Sequence, residues 1–108
     1  MAANGSQHDA WNVLADPTRR AILERLADRP QAVGEIAEQL PVSRPAVSQH
    51  LKVLKASGLV DDEAHGTRHI FRLNQAGVSA LRDQLDTFWN RTLASFEAAI
   101  DDTVEDQS

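Results

Sequence analysis

Apolar residues recur at spacings of three and four along most of this 108-residue chain and alternate in only one short stretch. That pattern predicts a mainly helical protein with a single hairpin. Residues 1–7 are small, polar and without period, and are expected to be disordered. A short helix over 8–15 would put Trp11 and Leu14 on one face. Asp16-Pro17 is a helix start, with Asp16 as cap and Pro17 suited to the first helical position. The helix that follows points Ala21, Ile22, Leu23 and Leu26 inward and stops before Pro30. Residues 32–40 read as a third helix around Ile36, Ala37 and Leu40. Pro41-Val42 is a tight connection to a fourth helix capped by Ser43. In that helix Val47, Leu51 and Leu54 fall at i, i+4 and i+7, and Gly58 ends it. Residues 59–64 form a strand, His65-Gly66-Thr67-Arg68 a turn, and residues 69–73 a returning strand. Asn74 caps a last, long helix expected to end at about Asp101.

The order is therefore helix, helix, helix, helix, strand, strand, helix. Two short helices joined by a tight turn and followed by a β-hairpin define a winged helix-turn-helix, mainly α with a β-hairpin wing. The expected organisation is one such domain over 8–101, carrying its dimerisation helices, with a disordered acidic tail over 102–108. The last helix holds Val78, Leu81, Leu85, Phe88, Trp89, Leu93, Phe96 and Ile100. Part of this stripe must pack on its own core. It is too long and too aromatic for that use alone, which predicts a homodimer through the first and last helices. The expected interface is Trp11, Leu14, Leu81, Leu85, Phe88, Trp89, Leu93 and Phe96.

The fourth helix carries the chemistry. At about 100° per residue, Pro45, Gln49, Lys52 and Ala56 lie opposite the buried stripe, with Ser48 and His50 on its flanks. Small polar and cationic side chains on a rigid helix suit base edges and phosphates. Ser48 and Gln49 are assigned to base edges, Gln being matched to adenine. Ser43, Arg44 and Lys52 would hold phosphates, helped by the helix N-terminus, with Pro45 beside them. His50 suits either role. Arg68, next to Gly66 in the hairpin turn, is the expected wing contact to phosphate or minor groove. Asp61, Asp62 and Glu63 read as a solvated strand edge. Arg19 and Arg20 follow a helix start, where a cation gains nothing from the helix dipole; pairing with acids and contact with phosphate both remain open for them.

A net charge of −5 looks adverse to DNA until it is located. Up to residue 96 the chain has 11 basic and 11 acidic residues, and the whole excess comes from Glu97, Asp101, Asp102, Glu105 and Asp106. Fields act locally, so the far end does not decide the matter. Between Ser43 and Arg72 five bases face three acids, a mildly basic patch that calls for a dimer. The sequence has no cysteine, which removes disulfides, thiolate metal sites and thiol redox chemistry. No apolar run approaches the roughly 18 residues of a membrane span, and no signal-peptide pattern opens the chain. A cytoplasmic protein without membrane partners is expected.

Residues 14–23 (Leu-Ala-Asp-Pro-Thr-Arg-Arg-Ala-Ile-Leu), the run Ser48-Gln49-His50-Leu51-Lys52-Val53-Leu54, Gly58-Leu59-Val60, and Gly66-Thr67-Arg68 before Phe71-Arg72-Leu73 resemble the ArsR/SmtB family of bacterial repressors. The resemblance covers roughly residues 10–100. It implies a homodimer on an imperfect palindrome of double-stranded DNA, usually in the regulator's own promoter. The family's metal sites do not carry over. A Cys-x-Cys-Asp site would fall on Ala32-Val33-Gly34-Glu35, which has no thiolate. A site on the last helix, placed on Asp83, would need ligands at Leu85, Phe96 and Ala99. Neither set binds a borderline-soft metal, so no metal or other cofactor is expected.

How such a repressor would let go stays open: a small apolar effector near Trp11, Phe88, Trp89 and Phe96, or concentration alone through autorepression. A protein-interaction module using the apolar helix and acidic tail is the alternative from another class. An enzyme is not expected, because no nucleophile, base and orienting group converge.

Overall fold

The computed structural model describes Trp11 and residues 13–107, with side chains as far as Asp102. Residues 1–7, and 8–10 and 12 of the expected first helix, lie outside these. Trp11 and residues 13–15 are helical. Then come α1 (Pro17–Asp28), β1 (Gln31–Ala32), α2 (Val33–Gln39), α3 (Arg44–Ala56), β2 (Val60–His65), β3 (Arg68–Leu73) and α4 (Gln75–Gln107). The contacts divide the chain into two compact units, residues up to Val78 and residues from Ser79.

In the first unit α1, α3 and α4 each start at a side-chain cap, whereas at α2 it is Glu35 that reaches back to the Ala32 N–H. Asp16 accepts from the backbone N–H of Thr18 at 2.8 Å and of Arg19 at 3.1 Å. Ser43 accepts from the N–H of Ala46 at 3.3 Å, and Asn74 from Gly77 at 2.7 Å. The end of α3 is a Schellman motif: Leu59 N–H reaches Leu54 O and Gly58 N–H reaches Lys55 O, both at 3.0 Å, with Gly58 at φ +80°. The core gathers Val13, Ile22, Leu26, Ile36, Val47, Leu51, Leu54, Leu59 and Val60, all essentially without solvent contact.

The Asp16 cap has a pH signature. The Arg19 N–H above all, then that of Thr18, holds its carboxyl below the ordinary aspartate range against the opposing effect of desolvation. A folded-state pKa below the unfolded one means the cap contributes fully above the unfolded value and is lost as pH falls through the folded one. Asp16→Ala should therefore cost roughly 1 kcal/mol at neutral pH. Thermal melts of the two proteins should converge in acid; a gap that stays constant down to pH 2 would remove the cap from the account.

The sheet corrects the expected two-stranded hairpin. It has three antiparallel strands in the order β1-β3-β2, with Gln31 opposite Phe71, Ala32 opposite Ile70, and Val60 opposite Leu73 through to His65 opposite Arg68. The third helix consequently begins at Val33. Pro30 explains the difference, since it pushes Arg29 into an extended conformation (φ −170°, ψ 158°) and the chain leaves α1 already strand-like. Two residues are too few to show alternation. Gln31 is only 1% exposed, and its amide is satisfied. Its Nε2 donates to Arg25 O at 2.7 Å and Arg29 O at 3.2 Å, while Oε1 accepts from Gln39 Nε2 at 2.5 Å.

In the second unit α4 runs on to Gln107, past the expected end at Asp101, so residues 102–107 of the expected disordered tail are helical. No glycine or proline follows Gly77 to stop it. Leu81 is buried at 8% exposure and Leu85 is half-buried. Beyond them Phe88, Trp89, Leu93, Phe96 and Ile100 are exposed, Trp89 at 55% and Phe96 at 61%.

Candidate nucleic-acid interface

The turn between α2 and α3 places α3 with one buried and one open side. Val47, Leu51 and Leu54 are buried. Ser43, Arg44, Pro45, Ser48, Gln49 and Lys52 are all exposed, and His50 is half-buried on the flank. The period of 3.6 that buries the leucines thus aligns Pro45, Gln49 and Lys52 on the solvent side. Polar side chains of different reach stand on a helix capped at both ends, which is the arrangement direct readout requires.

Two of the expected contact residues lie against α2, and one of them is paired there. Arg44 lies back across α2, for a Cβ added at Gly34 would stand 2.6 Å from Arg44 Nη2. Arg68, at the start of β3, donates from Nη2 to Glu35 Oε1 at 2.6 Å. Glu35 also accepts from the Ala32 N–H at 3.0 Å and from Arg29 Nη1 at 3.2 Å. These donors, the Ala32 amide first and then the two guanidinium groups, keep its carboxyl below the usual glutamate range. A pair this exposed is screened by salt and easily exchanged for another anion. The wing cation is thus anchored to the first helix of the helix-turn-helix.

The acidic run on β2 is a paired edge. Asp62 binds Lys55 Nζ at 2.7 Å and His69 Nε2, and these partners, Lys55 first, lower its pKa. Glu63 binds Arg72 at 2.6 Å and His65 at 3.5 Å, and Asp61 accepts from Asn74 at 2.9 Å. His69 also stacks on Phe71, with ring centroids 5.2 Å apart. Among the described residues no group of three or more His, Cys, Asp or Glu could hold a metal ion, and no helix is long and apolar enough to cross a membrane. An apolar notch of about 190 Å³ between Pro17, Thr18, Ala21, Leu40, Pro41 and Val42 falls below the roughly 300 Å³ at which small-molecule sites begin.

Of the residues expected at a dimer interface, Trp11, Leu14 and Leu85 are half-buried and Leu81 is buried. Phe88, Trp89, Leu93 and Phe96 are exposed, the first two in edge-to-face contact at 5.5 Å. Sequence reasoning missed Glu35 and left Arg19 undecided. The bond of Glu35 to the Ala32 N–H is half of a capping box, but alanine at the N-cap offers no side-chain oxygen, so the usual Ser/Thr-x-x-Glu signature is missing from the sequence. The other partner of Glu35, Arg68, lies 33 residues away, and no local pattern encodes that pairing. Arg19 turns out to donate from Nε to His50 Nδ1 at 3.2 Å, and Arg20 donates to Leu14 O.

A sequence profile of the helix-turn-helix domain matches residues 14–63. The HTH-type transcriptional regulator Rv2034 of Mycobacterium tuberculosis is 55% identical over 98% of this chain and 99% of its own length. The transcriptional repressor SdpR of Bacillus subtilis is 31% identical over 77% of this chain and 89% of its own. Among solved structures, the homodimeric winged helix-turn-helix DNA-binding domain of a Mycobacterium bovis protein put forward as an ArsR-family transcriptional regulator superposes with a TM-score of 0.67. It is 28% identical, with 85% of each chain covered.

Proposed function

Since the chain belongs to the ArsR/SmtB family of winged helix-turn-helix transcriptional regulators, we propose that it represses transcription as a homodimer seated on an imperfect palindrome, with its own promoter region as the first target. The observation that carries this reading is the open side of α3. It presents Ser48, Gln49 and Lys52 to solvent on a helix whose opposite side is locked into the core.

Each half-site receives one α3 in the major groove. Ser48 and Gln49 read base edges, and Ser43, Arg44, Lys52 and the helix N-terminus hold phosphates. Arg68 exchanges Glu35 for a backbone phosphate, so the wing gains a DNA contact by giving up an exposed ion pair. The exposed part of α4, from Phe88 to Phe96, joins the two protomers. A homodimer in a protein of the same fold supports that assignment.

Random-site selection, followed by gel shifts at several salt concentrations on the upstream region of its own gene, tests the reading. Gln49→Ala should flatten base preference at one position per half-site by about 1–3 kcal/mol. Arg68→Ala should weaken all sequences alike and reduce the salt slope by about 1. Failure to select any sequence over random DNA overturns the proposal, and an unchanged salt slope removes Arg68 from it.

A further inference from the structure

The contact between Arg19 and His50 fixes more than a side-chain position. A guanidinium is always protonated, so Arg19 Nε–H can only donate. His50 Nδ1, 3.2 Å away, must therefore offer a lone pair. The single proton of the neutral imidazole is then on Nε2, at the opposite edge of the ring. We infer that Arg19 is a positioning residue for DNA recognition: it holds His50 of α3 as the Nε2–H tautomer, so that His50 meets DNA as a hydrogen-bond donor and not as an acceptor.

The surrounding geometry makes this a fixed arrangement. Arg19 occupies the first turn of α1, where its backbone N–H is bound by the Asp16 carboxylate. Both Arg19 and His50 are half-buried, so the contact lies along the seam between α1 and α3 and not on the open side. His50 follows Gln49 directly and flanks the exposed face. The other tautomer would set two N–H groups against each other and lose the bond. A donor at this place selects an acceptor on the DNA, either a phosphate oxygen or a base-edge acceptor such as O4 of thymine or N7 and O6 of guanine.

The inference rests on the DNA-binding reading and is separable from it. Long-range ¹H–¹⁵N spectra of the free protein, with the His50 signals identified by their loss in His50→Ala, should show a protonated Nε2 and an unprotonated Nδ1. On the selected operator, Arg19→Ala should weaken binding about tenfold in the otherwise unchanged protein and less than twofold when His50 is already Ala. Arg19→Gln, whose amide N–H₂ still donates to a lone pair, serves as the milder variant and should recover part of the loss. Loss confined to one base pair makes the acceptor a base edge; uniform loss makes it a phosphate. Additive effects of Arg19→Ala and His50→Ala would mean that Arg19 acts on DNA by itself, and a protonated Nδ1 would refute the lock directly. If the unsubstituted protein selects no sequence at all, the DNA reading fails instead, and the spectra still decide the tautomer.

Discussion

Gly77→Ala should destabilise the protein by about 3 kcal/mol, at the upper end of what overpacking costs. A Cβ at this position would stand 1.8 Å from Gly58 O and 2.8 Å from Gly58 C. Both are backbone atoms, so no rotamer change relieves the clash. Neither neighbour is free to move. Gly58 holds φ +80° in the motif that ends α3, and the carbonyl of the next residue, Leu59, accepts from Asn74 N–H at 2.9 Å. Gly77 N–H is itself bound to the Asn74 side chain. The end of α3 and the start of α4 thus meet backbone to backbone, and only glycine fits between them. Gly66→Ala is the control: its φ of +64° is strained for alanine, but nothing lies within 4 Å of the added carbon. That change should cost about 1–2 kcal/mol. Thermal unfolding should show a fall on the order of 10 °C or more for Gly77→Ala. Equal losses at the two glycines would show that the close approach is not rigid.

If α4 joins two protomers as proposed, Phe96→Glu or Leu93→Glu should leave the protein monomeric with its helices folded. Leu93 is 53% exposed and Phe96 61% exposed in the protomer, so neither change opens a cavity in a core. In a dimer the same positions would bury a carboxylate against apolar side chains, which is unfavourable unless the group is paired or neutralised. Sedimentation should give the mass of one chain, and far-UV circular dichroism should be preserved. Operator affinity should fall on the order of a hundredfold, because a monomer loses the effective concentration that a second, linked half-site contact provides. A dimer that survives both substitutions would place the interface elsewhere.

How far the sequence foretold this molecule depends on the range of each interaction. Asp16, Ser43 and Asn74 act on amides two or three residues away, so their caps are readable from local order alone. Val47, Leu51 and Leu54 declare the buried side of α3 through spacing, and with it the open side carrying Gln49 and Lys52. The strand at Gln31 was illegible because its partner is β3, about forty positions on, and because a buried glutamine is read as a surface residue. Pairings such as Arg68 with Glu35, or Arg19 with His50, depend on how α1, α2 and the wing pack around α3. Gly77 carries no local signal either. A glycine near a helix start suggests flexibility, whereas its role is to make room for a carbonyl from another element.

The two caps of α3 have a thermodynamic consequence. Ser43 satisfies a free amide at the start of the helix, and the Schellman turn at Gly58 satisfies carbonyls at its end. The proposed reading surface is therefore already helical in the free protein, and association with DNA need not order it. Coupled folding leaves a large negative heat-capacity change because it buries new apolar area. Docking of a finished helix through polar and charged groups leaves little of that signature. Operator binding by this protein should accordingly draw its free energy mainly from counterion release, with an enthalpy that changes little with temperature.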